Sequence, residues 1–239
     1  MKPLSALLLS TLLTISAFAD HSAVTPAPRG DQGWKTRAEL LNKRVKDTPD
    51  AQLLYIGDSI TQGWEGGGAK EVWDKYYGNR KAVNIGIGGD RTQHVLYRLQ
   101  HGNLDGIKPK AAVIMIGTNN SNGDDNTPGQ IADGIRAIVK ELRAKQPQMK
   151  ILLLGIFPRS ENFSAQRGKI TQINQVIQKL DDGKNVFYLD IGHRFLEEDG
   201  TLSAEIMPDY LHLSPKGYQI WAEAVEPTLA KLLGDQPVK

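Results

Sequence analysis

Ser59, Asp209 and His212 are the side chains of this sequence that best fit nucleophilic chemistry. A serine hydroxyl becomes a strong nucleophile only when an imidazole accepts its proton, and that imidazole needs a carboxylate to fix its tautomer. Asp209 and His212 are three residues apart, so one turn of chain can present both side chains to Ser59. These residue types therefore predict acyl transfer through a Ser-His-Asp triad.

Acyl transfer also needs hydrogen-bond donors for the oxyanion of the tetrahedral intermediate. We predict that the backbone N–H groups of Ser59 and Gly89 and the side-chain amide of Asn119 supply them. Glycine at position 89 lets a substrate approach the backbone closely, because no Cβ intervenes. The sequence does not identify the residues that bind the rest of the substrate.

Five short apolar runs, separated by amphipathic segments, define the elements that must position these residues. Several runs are apolar at consecutive positions, which is typical of parallel strands buried on both faces. Strands that alternate with helices predict an α/β fold, a three-layer α/β/α sandwich with a five-stranded parallel sheet. The runs are Leu53 to Ile56, Ala82 to Ile85, Ala111 to Ile116, Ile151 to Phe157 and Val186 to Leu189.

The candidate residues follow these runs, where ligands bind in open α/β sheets. Ser59 comes directly after the first run, Gly89 shortly after the second, and Asn119 after the third. Asp209 and His212 lie beyond the fifth run, just before the last helix. We therefore expect all five residues to meet at one edge of the sheet.

Composition excludes several other function classes. The chain has 239 residues, a formal charge of +2 and no cysteine, which rules out disulfides, thiolate metal sites and a cysteine nucleophile. No Lys/Arg run suggests a nucleic-acid partner. The Asn/Asp-rich loop from 119 to 126 superficially suggests calcium, but no glutamate closes it at the required spacing. We expect no metal and no cofactor.

The N-terminus has the pattern of a secretory signal peptide. Lys2 precedes an apolar stretch from Leu4 to Phe18, and Ala17-Phe18-Ala19 matches a small-x-small cleavage site. We predict a signal peptide at 1–19, a flexible leader at 20–34 and a single domain at 35–239. The expected location is secreted or periplasmic, without a stable membrane anchor after cleavage.

Four blocks in order give the chain a resemblance to the SGNH (GDSL) hydrolase superfamily. They are Gly57-Asp58-Ser59, Gly88-Gly89-Asp90, Gly117-Thr118-Asn119-Asn120 and Asp209 to His212. Within the superfamily, the chain most resembles the platelet-activating-factor acetylhydrolase catalytic-subunit-like esterases, over about residues 50 to 233. The resemblance implies a flavodoxin-like fold, serine esterase activity toward short acyl groups, and no cofactor.

Two departures from those acetylhydrolase subunits concern the substrate. The subunits lack an export signal. They also have a different loop in place of the segment Thr61 to Ala69, which in this chain contains Trp64 and three consecutive glycines. We therefore predict an exported esterase that removes short acyl groups, chiefly acetyl, from a carbohydrate or related small ester. The alternatives are a lysophospholipase or platelet-activating-factor-type lipid esterase, a glycan O-acyltransferase, and a non-catalytic binding module. The oligomeric state is left open.

Three local alternatives accompany these predictions. Ser59 could cap the following helix instead of reacting. Asp190 and His193 have the same Asp-x-x-His spacing directly after the fifth run, and so compete with Asp209 and His212. Asp90 and Arg91 follow Gly89, and we expect them to form an ion pair that supports its loop; direct contact with the substrate is the alternative.

Overall fold

A five-stranded parallel sheet forms the centre of the molecule. The structure is a computed structural model that describes residues 20–238, so the predicted signal peptide lies outside the described residues. The observed strands lie within three residues of the predicted bounds. They are β1 (Leu53–Gly57), β2 (Ala82–Asn84), β3 (Ala111–Met115), β4 (Lys150–Leu154) and β5 (Val186–Leu189).

Within residues 20–238, seven α-helices connect and flank these strands. Several begin with a side-chain cap, because a serine, threonine or aspartate accepts one of the first free N–H groups. Thr127, for example, accepts from the Gln130 N–H, and Ser214 accepts from the Gly217 N–H. The helices are α1 (Gln32–Asp47), α2 (Ser59–Gln62), α3 (Ala69–Tyr77), α4 (Thr92–Gln100), α5 (Pro128–Lys145), α6 (Ala165–Ile177) and α7 (Pro215–Leu233).

The strand order is β2-β1-β3-β4-β5, with every pair parallel. This is the flavodoxin-like order, so the predicted α/β class and sheet are confirmed. The chain leaves β1 toward β2 and later returns to the other side of β1 as β3. The strand order therefore reverses between β1 and β3, and a crevice opens there at the carboxyl ends of the strands.

Helices cover both faces of the sheet. Helices α4, α5 and α6 pack side by side, whereas α3 packs against α7. On the α3–α7 side, the Tyr55 ring of β1 lies within 6.2 Å, centroid to centroid, of a group of aromatic rings. These are Trp64, Trp73, Tyr77 and Trp221. Burial of such large apolar side chains holds the first strand and the loop after it in place.

Residues 20–31, which we name the N-terminal strap, differ from the flexible leader expected from sequence. Ala23 is fully buried, and its carbonyl accepts a hydrogen bond from Thr92 Oγ1 at 2.8 Å. The Ala27 N–H donates to the Gln93 carbonyl at 3.2 Å. Helix α1 then begins at Gln32. The strap's Pro and Gly content suggested a mobile segment, but its backbone packs on α4.

Candidate active site

Ser59 is presented by a sharp turn at the end of β1. All five residues of β1 are buried, and the chain then enters α2 at Ser59 itself. Asp58 caps this helix, because its Oδ1 accepts the Ile60 N–H at 3.0 Å. The alternative that Ser59 caps the helix is therefore wrong. The Ser59 hydroxyl remains available for another partner.

That partner is His212. Ser59 Oγ lies 2.8 Å from His212 Nε2, and His212 Nδ1 lies 2.6 Å from Asp209 Oδ2. Asp209 Oδ1 also accepts the backbone N–H of His212 at 2.7 Å, so one carboxylate fixes both ring and backbone. The structure thus brings the three predicted residues into one hydrogen-bonded series, the arrangement that activates a serine hydroxyl.

The Asp209 carboxylate stays ionised in this arrangement. Partial burial acts to raise its pKa, but hydrogen bonds from the His212 ring and the His212 backbone outweigh that effect. The pKa of Asp209 therefore lies below its ordinary value. Asp209 and His212 remain accessible, with 56% and 44% of their side chains exposed. The site is open to solvent on this side.

The competing pair, Asp190 and His193, does not reach Ser59. Asp190 Oδ1 accepts the Gly192 N–H at 2.8 Å, and both Asp190 and His193 are exposed. Asp190 follows β5, three strand intervals from β1, which corresponds to about 14 Å across the sheet. The structure therefore assembles Ser59 with Asp209 and His212 and leaves the second segment apart.

The three predicted oxyanion donors are the Ser59 N–H, the Gly89 N–H on a loop against Ser59, and the side chain of Asn119, which is hydrogen-bonded to Asp90 of that loop. A Cβ built on Gly88 would sit 3.6 Å from the Cβ of Ser59, which places the Gly88–Gly89 loop against the serine. Gly89 has a φ of +78°, a conformation that favours glycine. Asn119 Nδ2 donates to the Asp90 carbonyl at 3.0 Å, which leaves its second N–H free. The Ser59 N–H belongs to the first turn of α2, where helices have no internal acceptor.

A buried carboxylate, that of Asp90, anchors the loop that carries Gly89 to the interior of the protein. Asp90 is fully buried, and its carboxylate accepts from Trp34 Nε1 at 2.7 Å and from Arg98 Nε at 2.9 Å. The predicted ion pair between Asp90 and Arg91 is wrong, since Arg91 instead pairs with Asp125 at 2.8 Å. Two consecutive side chains on an extended turn point apart, so they reach different partners.

Comparisons with known proteins identify the family to which the chain belongs. Residues 55–220 match the model of the GDSL-like Lipase/Acylhydrolase family. The rat platelet-activating factor acetylhydrolase IB subunit alpha2 is 38% identical over 212 residues, covering 87% of this chain and 89% of the relative.

The chain belongs to the GDSL-like lipase/acylhydrolase family. It is a carboxylic ester hydrolase, as the four blocks predicted. Solved structures share the fold of this GDSL hydrolase. A GDSL-like lipase from Bacteroides thetaiotaomicron has a TM-score of 0.65 and 19% identity, covering 82% of this chain and 98% of its own. An acetylxylan esterase from Geobacillus stearothermophilus has a TM-score of 0.61 and 22% identity, covering 79% and 96%.

A cavity of about 370 Å³ opens beside Ser59 and His212 in this GDSL hydrolase. Its wall includes the consecutive glycines 66 to 68, together with Leu213, Pro215 and Tyr218. Tyr218 OH donates to the Ile60 carbonyl at 2.7 Å, which ties α7 to the serine turn. The glycines leave the room that side chains would otherwise fill, so a small group can lie next to the serine.

A second cavity, of about 360 Å³, lies at the ends of β4 and β5. Asp190 and His193 line it, together with Ser164 and Asn174. Ser164 Oγ accepts the Arg167 N–H at 3.1 Å as the cap of α6, and therefore has a structural partner. We call this region the Asp190 half of the sheet edge, and the region over β2, β1 and β3 the Ser59 half.

Sequence reasoning missed three residues around the nucleophile. Asp58 precedes a short helix, so its capping role could have been predicted from its residue type. Its burial could not have been predicted in that way. Desolvation, the largest effect, raises the pKa of Asp58 to about 7. Gln62 Oε1 accepts the Gly88 N–H at 2.7 Å, and Arg29 donates to the Gly88 carbonyl at 2.6 Å. These two contacts join residues that no local pattern links.

Within residues 20–238, no three His, Asp or Glu side chains are grouped to hold a metal ion. In the same range, no helix has the length and apolar character needed to cross a membrane.

Proposed function

We propose that this GDSL hydrolase cleaves short-chain esters with Ser59 as nucleophile, His212 as general base and Asp209 as the carboxylate that orients it. The observation that carries the proposal is the series Ser59 Oγ to His212 Nε2 at 2.8 Å and His212 Nδ1 to Asp209 Oδ2 at 2.6 Å. His212 accepts the hydroxyl proton as Ser59 attacks the ester carbonyl. It then gives that proton to the departing alcohol.

The remaining steps use the same groups. Negative charge on the carbonyl oxygen is held by the N–H groups of Ser59 and Gly89 and by the Asn119 amide. Water, deprotonated by His212, then attacks the acyl-enzyme; the bond to Ser59 Oγ breaks, His212 returns the proton to that oxygen, and the carboxylic acid is released. Because Asp209 stays ionised, it stabilises the imidazolium in both halves of the reaction.

The walls of the cavity support a short acyl group, chiefly acetyl, and a polar alcohol such as a carbohydrate. Glycines and Pro215 bound the space beside Ser59, and the triad is exposed rather than enclosed. Among residues 20–238, the exposed large hydrophobic side chains are Leu40 and Phe163, and neither lines this cavity. A long acyl chain would need an extended apolar surface at the mouth.

A series of p-nitrophenyl esters from acetyl to dodecanoyl tests the acyl preference. We expect kcat/KM to be highest for acetyl and to fall steadily as the chain lengthens. A maximum at octanoyl or longer would contradict the short-chain proposal. Ser59→Ala, assayed in parallel, shows how much hydrolysis belongs to this site.

A lipid substrate is the second candidate, favoured by the 38% identity to a platelet-activating factor acetylhydrolase subunit. Both candidates share an acetyl ester and differ in the alcohol. Acetate release from acetylated xylo-oligosaccharides and from platelet-activating factor, measured side by side, distinguishes them. We expect higher kcat/KM on the acetylated oligosaccharide, and the reverse order would assign the lipid substrate.

Acyl transfer to a second sugar uses the same acyl-enzyme and remains an alternative to hydrolysis. Product analysis with and without an unacetylated acceptor oligosaccharide separates the two. We expect acetate as the main product in both cases. A non-catalytic binding module predicts no turnover, and the assembled series of Ser59, His212 and Asp209 argues against it.

Export is part of the proposal and is supported by the signal-peptide pattern of residues 1–19. Cleavage after Ala19 would leave the packed N-terminal strap intact. N-terminal sequencing of the mature protein from the periplasm or medium of an expressing cell should begin at Asp20. An uncleaved protein that begins at Met1 and stays in the cytosolic fraction would contradict it.

A further inference from the structure

Arg29 connects the N-terminal strap to the loop that carries Gly89. Its Nη1 donates to the Gly88 carbonyl at 2.6 Å, and its Nε donates to Asp31 Oδ2 at 3.0 Å. A Cβ built on Gly89 would lie 2.9 Å from Arg29 Nη1, so the guanidinium covers this glycine closely. Arg29 lies outside residues 55–220, the part of the chain that matches the family model.

The carbonyl of Gly88 and the N–H of Gly89 are the two ends of one peptide group. That group is planar, and in the trans form its C=O and N–H point in opposite directions. A donor that fixes the carbonyl therefore also fixes the direction of the N–H. The Gly88 N–H is held separately by Gln62 Oε1 at 2.7 Å, so the peptide groups on both sides of Gly88 are restrained.

The charge of Arg29 adds to this effect. A hydrogen bond from a guanidinium to a carbonyl is charge-assisted and stronger than one from a neutral donor. Such a bond polarises the peptide group, and hydrogen bonds in series strengthen one another. The Gly89 N–H thus becomes a better donor when the Gly88 carbonyl, which belongs to the same peptide group, accepts a hydrogen bond from a cation.

The strap itself supports Arg29 in this position. Ala23 is buried and bound through its carbonyl to Thr92 Oγ1, and the Ala27 N–H donates to the Gln93 carbonyl. Asn126 Nδ2 also donates to Ser22 Oγ at 2.9 Å. These contacts dock the strap on α4 and on the segment before α5, ahead of the point where it reaches the loop. Arg29 therefore approaches Gly88 from a segment that is already ordered.

We propose that Arg29 is a positioning residue for ester hydrolysis, which orients and polarises the Gly88–Gly89 peptide group so that the Gly89 N–H can stabilise the oxyanion. This inference rests on the proposed function of Ser59 and Gly89. It assigns the N-terminal strap to the active site as well as to the fold.

The test measures kcat and KM for p-nitrophenyl acetate in wild type, Arg29→Ala and Arg29→Lys. Loss of an oxyanion donor lowers kcat by roughly 10²–10³-fold, and weakening one should cost less. We expect Arg29→Ala to lower kcat about tenfold with KM within twofold of wild type. Arg29→Lys, which keeps a cationic donor, should recover part of this loss. Added guanidinium ion should also raise the kcat of Arg29→Ala.

A second measurement separates positioning from general stability. A boronic acid that forms a tetrahedral adduct with the serine should bind Arg29→Ala more weakly, by the same factor as the loss in kcat/KM. Arg91→Ala is the matched control, since Arg91 is near Gly89 in sequence but pairs with Asp125. We expect it to keep the kcat and boronate affinity of the wild type.

The outcomes distinguish this inference from the proposed function. A wild type without Ser59-dependent turnover overturns the proposed function. A wild type with that turnover, together with an Arg29→Ala variant of equal kcat and equal boronate affinity, overturns the role of Arg29 alone. The same conclusion follows if the loss appears only in KM, or if it follows the melting temperature and neither lysine nor guanidinium restores activity.

Discussion

The Ser59 half and the Asp190 half of the sheet edge each contain an Asp-x-x-His segment, yet within residues 20–238 only the Asp209–His212 segment is hydrogen-bonded to a serine. In both segments the aspartate starts a similar turn. Asp209 Oδ1 accepts the N–H of Leu211 at 3.1 Å, and Asp190 Oδ1 accepts the N–H of Gly192 at 2.8 Å. The local pattern therefore produces the same turn twice.

The difference lies in where the chain carries each turn. Asp190 follows β5 directly and stays at that end of the sheet, whereas the segment that follows brings Asp209, nineteen residues later, back toward β1. There the Ser160 N–H donates to the Tyr210 carbonyl at 2.9 Å, which fixes the residue between Asp209 and Leu211. Spacing defines a turn, but strand order decides which side chains it meets.

The largest expected difference between the halves concerns their serines. Ser59→Ala should lower kcat for p-nitrophenyl acetate by about 10⁴-fold or more, because the nucleophile is lost. Ser164→Ala should keep kcat, since Ser164 caps α6, and should lower the free energy of unfolding by about 1 kcal/mol. Steady-state kinetics and urea unfolding check both. Hydrolysis unchanged in Ser59→Ala would remove the distinction between the halves.

The next largest difference is expected between the kinetic effects of replacing Asn119 in the Ser59 half and Asn174 in the Asp190 half. Asn119→Ala should lower kcat by about 10²–10³-fold with little change in KM, because an oxyanion donor is removed. Asn174 instead accepts the Ile156 N–H at 2.8 Å and donates to the Ile156 carbonyl at 2.9 Å. Asn174→Ala should therefore cost about 1–3 kcal/mol of unfolding free energy and leave kcat near wild type. Equal kinetic effects from both variants would contradict this assignment.

The smallest effect is a pH dependence of stability. Burial raises the pKa of Asp58 to about 7, above its ordinary value of 3.8. The stability that the neutral carboxyl allows is therefore fully present below about pH 4 and is lost as pH rises through 7. Relative to Asp58→Asn, which stays neutral, wild type should lose about 2 kcal/mol of unfolding free energy between pH 5 and 8. Urea unfolding at both pH values measures this.

Asp190→Asn is the control for that measurement, because Asp190 is exposed on the other half of the edge. We expect its stability to follow the wild-type pH dependence. If Asp58→Asn also follows that dependence, the Asp58 carboxyl does not titrate near pH 7 in the folded protein.

Much of the fold could be predicted from local patterns. The strand β3 consists of consecutive apolar residues because it is buried on both faces, and the Thr127–Gln130 capping box predicts the start of α5. The N-terminal strap could not be predicted in this way. Its residues carry no helix or strand period, and their order comes from contacts with α4 that are distant in sequence.

Prediction of the active site from the sequence was limited in the same way. Residue types and order pointed to Ser59, Asp209 and His212, and the structure places them within hydrogen-bonding distance. The partners of Asp90 were predicted wrongly, because sequence adjacency favoured Arg91 while the fold brings in Trp34 and Arg98. Arg29 was not predicted at all. A side chain that acts across 59 positions of sequence leaves no periodic signal.

The most direct test of the account compares the turnover of Asp209→Ala with that of Asp190→Ala on p-nitrophenyl acetate. Removal of the carboxylate that orients the catalytic histidine should lower kcat by about 10⁴-fold. We therefore predict a loss of that size in Asp209→Ala and a kcat within twofold of wild type in Asp190→Ala. Near-normal turnover in Asp209→Ala, or a loss of several powers of ten in Asp190→Ala, would contradict the assignment of the site to the Ser59 half.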